Sequence, residues 1–203
     1  MQRGYPKISV APVAEPITLA VAKAWLKVDY DDDDDIITEL IVAAREYAEK
    51  RTNRALMQQT ILMQLPCFPY VDRRNPLGFI KLFRSPVQSL KKIQYYNTDN
   101  ELTTLYDVDA DPAVTDSAYL DNVYEPARIT AAVNTSWPNT AARHDAVKIT
   151  FVAGYSSASD IPSGIKLAMR QLLADWYRNR ENPVKEKHTA ADLMLEKYKV
   201  EEI

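Results

Sequence analysis

The sequence predicts an α+β protein in which helices from both ends of the chain form one helical body around a mostly antiparallel β insertion. Residues 34–52 and residues 162–181 carry apolar side chains at three- and four-residue spacing, as in a helix with one buried face. Between them, residues 58–154 show short runs of β-branched and aromatic residues, separated by Pro, Asn, Asp and Ser. Because each helical stripe needs a covering surface, we expect residues 18–57 and 155–182 to pack on each other.

The N-terminal residues 1–17 contain three prolines and little periodicity, so we expect an extended arm that becomes ordered on a partner. A first helix is predicted over residues 18–28, with the Thr18 hydroxyl as its cap. The predicted buried face of this helix contains Val21, Ala22, Trp25 and Leu26.

The second helix, over residues 34–52, begins within a run of five aspartates, residues 31–35. Either Asp34 or Asp35 can cap this helix, and each acidic residue in a first helical turn contributes about 0.3–1 kcal/mol through the helix dipole. Its apolar stripe, which we expect to face the core, contains Ile37, Leu40, Ile41, Ala44, Tyr47 and Ala48.

The β insertion is predicted to contain six strands, over residues 60–65, 79–83, 89–96, 102–106, 127–133 and 146–152. Residues 97–100 tolerate tight-turn dihedral angles, so the third and fourth of these strands are expected to form a hairpin. In the last strand, Val147, Ile149 and Phe151 alternate with polar residues, which predicts one covered face and one wet face.

The third long helix is predicted over residues 162–181, with Asp160 as its capping residue and Pro162 in its first turn. Its stripe contains Ile165, Ala168, Met169, Leu172, Leu173, Trp176 and Tyr177. Residues 183–203 are expected to form a charged linker and a weaker helix that holds Ala190, Leu193, Met194 and Tyr198.

The composition is that of a soluble globular protein: 46% of the 203 residues are apolar, 26% are charged, and the net charge is -3. This balance lacks the basic excess of a nucleic-acid-binding chain. Cys67 is the only cysteine, which excludes an internal disulfide framework. No apolar run reaches the roughly 18 residues of a membrane span, and the N-terminus lacks a signal-peptide core, so neither secretion nor membrane spanning is predicted.

The aspartate run is the most conspicuous candidate for a functional site. A calcium-binding EF-hand loop requires a central glycine and alternating ligands, whereas Ile36 and Ile37 follow the run directly. A two-metal site in a small metal-dependent phage enzyme is an alternative, although consecutive side chains on a turn point in different directions. Helix capping, with the surplus acids serving solubility or an intermolecular contact, is the simpler interpretation.

Opposite local charges suggest a contact between copies of the chain. Residues 27–50 contain nine acids and three bases, whereas residues 166–187 contain six bases and three acids. Such surfaces permit head-to-tail contacts of the kind that close into rings, and two solvated faces are the alternative. The candidate contact residues are Asp31, Asp32, Asp33, Asp34, Asp35, Arg170, Arg178 and Arg180.

The sequence lacks the motifs of a zinc site, a serine hydrolase and a phosphate-binding loop. Two histidines, His144 and His188, and one cysteine cannot form a zinc site of the usual spacing. Ser156 and Ser157 lie outside a GxSxG motif, and four unclustered glycines form no phosphate-binding loop. We therefore predict no catalytic residue, metal or cofactor. A nucleic-acid-binding module is a further alternative, based on Lys81, Arg84, Lys91, Lys92, Tyr95 and Tyr96, although a solvated sheet face is the simpler interpretation.

Three segments of the chain resemble the head-tail connector, or adaptor, proteins of tailed phages and prophages. They are EPITLAVAKAWLKVDYDDDDDIITELIVAAREYAEKRTNRALMQQT, SPVQSLKKIQYYNTDNELTTL and FVAGYSSASDIPSGIKLAMRQLLADWYRNRE. The similarity extends over roughly residues 11–182 and is low from 107 to 145.

The resemblance implies a non-enzymatic virion protein of the head-tail interface that is assembled in the bacterial cytoplasm. Family members form a ring of about twelve subunits beneath the portal, extend the DNA channel and provide the surface for the stopper or tail. The implied partners are other copies, the portal, a stopper or tail-completion protein, and double-stranded DNA that passes without sequence-specific binding. A free monomer is compatible with this role because weak contacts add up in a closed ring. The C-terminal segment tends to reach the portal, so the portal-contact candidates are Lys185, Lys187, Leu193, Met194 and Tyr198.

Overall fold

A computed structural model of the protein describes residues 5–73, 75–179 and 189–201. The chain divides into two compact units. Of the described residues, the β unit comprises 5–11, 59–73 and 75–154, and the helical unit comprises 12–58, 155–179 and 189–201. Helices and antiparallel sheets are both present, which confirms the predicted α+β class.

The helical unit contains α1 (Leu19–Leu26), α2 (Asp34–Thr52), α3 (Ser163–Arg178) and α4 (Ala190–Glu196). The bounds of α2 are those predicted from its apolar stripe. None of the helices in the described residues is both long and apolar enough to cross a membrane.

The core of the helical unit is built from the predicted stripes of α2 and α3, except that Tyr47 is exposed and the prediction that it faces the core is wrong. From these helices it buries Ile37, Ile41, Ala44, Ala48, Ile165, Ala168, Met169, Leu172 and Leu173. Helix α1 adds Ala22, and α4 adds Ala191 and Leu195. Each of the four helices therefore contributes at least one fully buried side chain, and α2 and α3 contribute most of the apolar area.

The predicted face of α1 is wrong at two positions, because Val21 and Trp25 are exposed. Helix α1 has only eight residues, so its narrow contact face fully buries Ala22 alone. The guanidinium of Arg170 lies 5.3 Å from the centroid of the Trp25 ring, where a cation–π contact stabilises an exposed aromatic side chain.

The N-terminal cap of α1 is the one predicted from the sequence, whereas those of α2 and α3 differ from the prediction. The hydroxyl of Thr18 accepts a hydrogen bond from the backbone N–H of Val21, as predicted. Helix α2 has Asp33 as its N-cap, without a side-chain cap bond, so the capping roles predicted for Asp34 or Asp35 are wrong. The N-cap of α3 is Pro162 rather than Asp160, whose carboxylate instead accepts a hydrogen bond from Ser159.

The β unit contains β1 (Tyr5–Val10), β2 (Gln59–Leu65), β3 (Ile80–Lys81), β4 (Val87–Tyr96), β5 (Leu102–Asp107), β6 (Ala118–Asp121), β7 (Arg128–Ala131) and β8 (Val147–Ala153). Five strands form one sheet in the order β1-β2-β8-β4-β5, and three form a second in the order β3-β7-β6. All neighbouring strands are antiparallel. Strand β8 lies at the centre of the larger sheet and buries Val147, Ile149 and Phe151, as its alternation predicts.

All six predicted strands are present, and β4 and β5 form the predicted hairpin, in which Asn100 adopts a positive φ of 61°. Strands β1 and β6 were not predicted. Strand β1 contains Pro6, which breaks the apolar pattern but is tolerated at a sheet edge, where an N–H is not always needed. Residues 5–10 of the expected N-terminal arm thus pair with β2.

Candidate functional site

The aspartate run lies at the start of α2 and is held by a lysine from α1. The Nζ atom of Lys23 lies 2.6 Å from Oδ1 of Asp31 and 2.6 Å from Oδ1 of Asp34. The hydrogen bonds to Asp31 and Asp34 raise the pKa of Lys23, and the bond from Lys23 lowers the pKa of Asp31. Two of the five carboxylates are therefore engaged within the chain.

A third carboxylate links the start of α2 to the end of α3. The hydroxyl of Tyr177 donates a 2.5 Å hydrogen bond to Oδ2 of Asp33, and the hydroxyl of Tyr30 lies 3.4 Å from the same oxygen. The pKa of Tyr177 is raised well above its ordinary value, first by the bond to Asp33 and then by the bond to Tyr30, because a tyrosinate would face a carboxylate. Tyr177 consequently remains a hydrogen-bond donor throughout the neutral range.

Asp32 and Asp35 remain exposed, and neither forms an ion pair or side-chain hydrogen bond with another described residue. They are thus the members of the run that are available to another molecule. Across residues 5–73, 75–179 and 189–201, no group of three or more His, Cys, Asp or Glu side chains converges on a possible metal position. The alternative of a metal-dependent enzyme therefore finds no ligand set in the described chain.

Two of the three arginines proposed to meet the aspartates, Arg170 and Arg178, lie on α3 within the described residues. Arg170 is partly buried, and its Nε donates to the carbonyl of Lys166. Arg178 is exposed at the end of α3, and its neighbour Tyr177 contacts Asp33. A contact between Arg178 and the aspartate run of another copy stays a prediction. Arg180 lies outside the described residues.

Helix α4 is attached to α2 by a partly buried polar network that sequence patterns did not reveal. The hydroxyl of Tyr47 donates a 2.5 Å hydrogen bond to Asp192, which also accepts bonds from Thr189 in a capping box. Burial raises the pKa of Asp192, but the bonds from Tyr47 and Thr189 outweigh this effect and the pKa is lowered. The carboxylate is therefore the favoured form of Asp192 in the folded chain.

The segment after α4 is held by the end of α2. Nε of Arg54 donates to the carbonyl of Tyr198 at 2.7 Å, and Nδ2 of Asn53 donates to the carbonyl of Val200 at 3.0 Å. The N–H of Val200 donates in turn to the carbonyl of Thr52 at 2.9 Å. Three hydrogen bonds thus fix the described C-terminal residues on the helical unit.

The portal-contact candidates separate into inward and outward positions. The side chain of Leu193 is 63% exposed, whereas Met194 and Tyr198 pack against the core of the helical unit. Helix α4 buries Ala191 and Leu195, which leaves Leu193 on its exposed side. Lys185 and Lys187 lie outside the described residues.

Two of the four cations considered for nucleic-acid binding have acidic partners within the β unit. The Nζ atom of Lys92 lies 2.7 Å from Asp107, and that of Lys91 lies 3.4 Å from Asp109. The hydrogen bond from Lys92 lowers the pKa of Asp107. These pairs neutralise much of the positive charge that a nucleic-acid backbone requires.

The β unit also contains an open cavity of about 490 Å³ whose lining includes Leu105, Asp116, Ser117 and Trp137. Asp116 is the only ionisable residue among those that line it. The hydroxyl of Ser117 donates to the carbonyl of Leu105. The cavity therefore lacks a general acid–base pair or an activated nucleophile.

The structure is similar to solved chains of gene transfer agent (GTA) particles. One belongs to the neck of an empty GTA particle, computed with C6 symmetry; its TM-score is 0.76 at 18% identity, over 98% of this chain and 97% of that chain. Another, from the virion of a native GTA particle, has a TM-score of 0.76 at 18% identity, over 98% of this chain and 96% of that chain. A third, from the neck of a native GTA particle computed with C12 symmetry, has a TM-score of 0.67 at 19% identity, over 97% of both chains. These similarities show a shared fold.

A search of curated protein sequences finds no match. A sequence profile of the phage gp6-like head-tail connector proteins matches residues 16–125, which is more than half of the chain. This range includes α1, α2 and the strands from β2 to β6. It confirms the resemblance drawn from the sequence, and the chain belongs to the phage gp6-like head-tail connector protein family.

Proposed function

We propose that the chain works as one subunit of a closed ring that joins a portal to the stopper or tail. The chain is a structural protein of the head-tail interface, and its family is one of connectors rather than enzymes. The family match over residues 16–125 carries the proposal. The similarity to neck chains computed with C6 and C12 symmetry supports a ring, because these symmetries describe repeated copies around one axis.

In this proposal the helical unit, built from both ends of the chain, is the scaffold of each subunit, and residues 58–154 are an insertion that carries further contacts. The shared core of α2 and α3 supports this role, since buried apolar contacts resist deformation when neighbours bind. The bond between Tyr177 and Asp33 also joins the two helices at the aspartate run. A rigid scaffold keeps the same contact geometry in every copy.

The ring contacts are proposed to be largely polar, with Asp32 and Asp35 on one side. Individual exposed ion pairs contribute about 1 kcal/mol or less, so two free copies associate weakly. A preformed portal ring holds many copies close together, and the contacts then act at high effective concentration. The free chain can accordingly be a monomer in dilute solution and still assemble on the virion.

Double-stranded DNA is proposed to pass through the ring without sequence-specific binding. The ion pairs of Lys91 and Lys92 with Asp109 and Asp107 support this, because paired cations release fewer counterions from a DNA backbone. The net charge of -3 also favours weak binding of the chain to DNA. Weak attraction suits a passage through which DNA must move.

The portal is proposed to bind the exposed face of α4 and the residues around it, with Leu193 as the described apolar anchor. Met194 and Tyr198 pack inward, so in this conformation they support the helix rather than contact a partner. A stopper or tail-completion protein is the proposed partner on the other side of the ring.

Replacing Leu193 by glutamate is expected to weaken binding to the cognate portal by at least about tenfold, because a charge replaces an apolar anchor. Surface plasmon resonance with immobilised portal measures this change. The thermal midpoint is expected to stay the same, since Leu193 is 63% exposed. Val133→Glu, at a site in the β unit that is 75% exposed, is the matched control and should bind normally. Wild-type affinity for Leu193→Glu would exclude this face of α4 as the contact.

A further inference from the structure

We infer that Lys81 and Arg128 form a receptor on the β unit for the aspartates that begin α2 of a neighbouring copy. The inference rests on the proposed ring and names the contact that would close it. The two cations are paired across β3 and β7, where Lys81 lies opposite Arg128. Their neighbours Ile80 and Ile129 are also paired and are buried, so Lys81 and Arg128 lie on the other face of the three-stranded sheet.

Two like charges directly opposite each other in a sheet destabilise it unless an anion compensates them. Neither Lys81 nor Arg128 forms an ion pair with an acid in the part of the chain that the structure describes. Asp121 is the neighbour of Arg128 on β6 and accepts a hydrogen bond from the N–H of Val123 at 3.2 Å, so the row contains one carboxylate beside two cations. The row across the three strands thus retains excess positive charge.

The environment of both cations favours an incoming carboxylate. The guanidinium of Arg128 lies between two rings, 4.7 Å from the centroid of Phe79 and 4.5 Å from that of Tyr124. Its Nε is buried and has no hydrogen-bond acceptor among the described residues. Burial and the charge of Arg128 lower the pKa of Lys81. A bound anion would relieve the repulsion between the two cations.

The surroundings of the two sites are complementary in apolar surface as well as in charge. Tyr124, which contacts Arg128, is exposed, and Val123, which precedes it in the chain, is 88% exposed, so both offer apolar surface. On the other side of the proposed contact, exposed Tyr30 and Ile36 flank the aspartates. Two carboxylates, from Asp32 and Asp35, match the two cations in number. A second copy therefore offers both the charge and the apolar contacts that this surface requires.

A nucleic-acid backbone fits the same surface less well. Phosphates recur along a strand and are bound by a line of unpaired cations, whereas Lys91 and Lys92 of this unit are paired with acids. A short cluster of carboxylates is consequently the better occupant.

The test uses two charge-reversed forms of the full chain. One carries Lys81→Glu and Arg128→Glu, and the other carries Asp32→Lys and Asp35→Lys. Each form alone is expected to lose at least about tenfold in ring yield on immobilised cognate portal, because like charges then meet at every contact. A 1:1 mixture should restore the yield, since alternating copies again pair opposite charges around an even-numbered ring. Native mass spectrometry gives the stoichiometry of the mixture.

Lys50→Glu with Arg73→Glu is the matched control, because it makes the same change in net charge at exposed positions and should assemble normally. Normal rings from either reversed form alone would overturn the inference and leave the proposed ring intact. No ring from the wild-type chain, free or on the portal, would instead overturn the proposed function. The binding of a 30-base-pair DNA duplex to each form is measured as well. If the Lys81→Glu, Arg128→Glu form assembles normal rings but no longer binds the duplex, the surface is a nucleic-acid-binding site.

A second measurement does not depend on folding of the variants. Wild-type chains labelled with nitrogen-14 and nitrogen-15 are mixed, assembled on the portal and treated with a carbodiimide, which joins a carboxylate to a lysine Nζ that it touches. We expect amide links from Lys81 to Asp32 or Asp35 in peptides that combine both isotopes. Links only within one isotope, or none at Lys81, would contradict the contact between copies.

Discussion

Replacing Glu49 by alanine is expected to lower the free energy of unfolding by about 3–5 kcal/mol, as removal of one partner of a buried ion pair typically does. Oε2 of Glu49 accepts a 3.1 Å hydrogen bond from Arg45, and Oε1 accepts a 2.8 Å bond from the N–H of Leu56. Nε of Arg45 donates to Glu15 at 2.8 Å. The alanine variant would leave a buried guanidinium and a buried N–H with fewer acceptors.

Burial lowers the pKa of Arg45, but the bond to Glu15 and the charge of Glu49 outweigh this effect and raise it, so Arg45 stays charged in the folded state. Urea unfolding followed by circular dichroism measures the predicted loss. Glu46→Ala is the control, because the Glu46 side chain is 67% exposed and lies 3.9 Å from Arg45. Glu46→Ala should lower the free energy of unfolding by less than about 0.5 kcal/mol. Equal effects of the two substitutions would show that the network does not stabilise the fold.

Phe151→Ala is expected to lower the free energy of unfolding of the β unit by about 3–5 kcal/mol, because it leaves a cavity at the centre of this unit. Phe151 is fully buried in β8, the middle strand of the larger sheet. It lies opposite Ile61 of β2 and Leu90 of β4, which are also buried. Few side chains can move into the space because strands on both sides hold the backbone in register.

Thr150→Ala tests whether this loss is specific to the buried face. Thr150 precedes Phe151 and is partly exposed on the other face of β8, so its replacement should cost less than about 1 kcal/mol. Chemical unfolding of both variants beside the wild type supplies the comparison. A loss below about 1 kcal/mol for Phe151→Ala would contradict the assigned core of the β unit.

The fold could be predicted where a periodic pattern is long. Helix α2 has 19 residues, and its repeated apolar positions define its bounds and most of its buried face, from which only Tyr47 turns out to be exposed. Helix α1 has eight residues, so one or two apolar side chains, such as Trp25, can face solvent without breaking the pattern. Strands β1 and β6 have six and four residues and contain a proline or a turn-rich flank, which leaves too little alternation to detect.

The partners of the candidate site residues could not be predicted, because they are distant in the sequence. Asp33 accepts from Tyr177, which lies 144 positions away, and Asp192 accepts from Tyr47, which lies 145 positions away. The local charge balance does not distinguish the five aspartates from one another. In the folded chain, tertiary contacts leave Asp32 and Asp35 as the two carboxylates that can contact another molecule. The cation pair of Lys81 and Arg128 emerges only from strand register, since 47 positions separate the two residues in the sequence.

Family membership together with the two charged surfaces leads to one central claim, that copies of this chain form a ring in the neck of a phage-like particle. Cryo-electron microscopy of the neck, in particles from the phage or prophage that encodes the chain, tests this claim most directly. We predict a closed ring of this fold between the portal and the stopper or tail, with α2 of one copy against the β unit of the next. Density that places single copies elsewhere in the particle, or a neck ring built from a different fold, would contradict it.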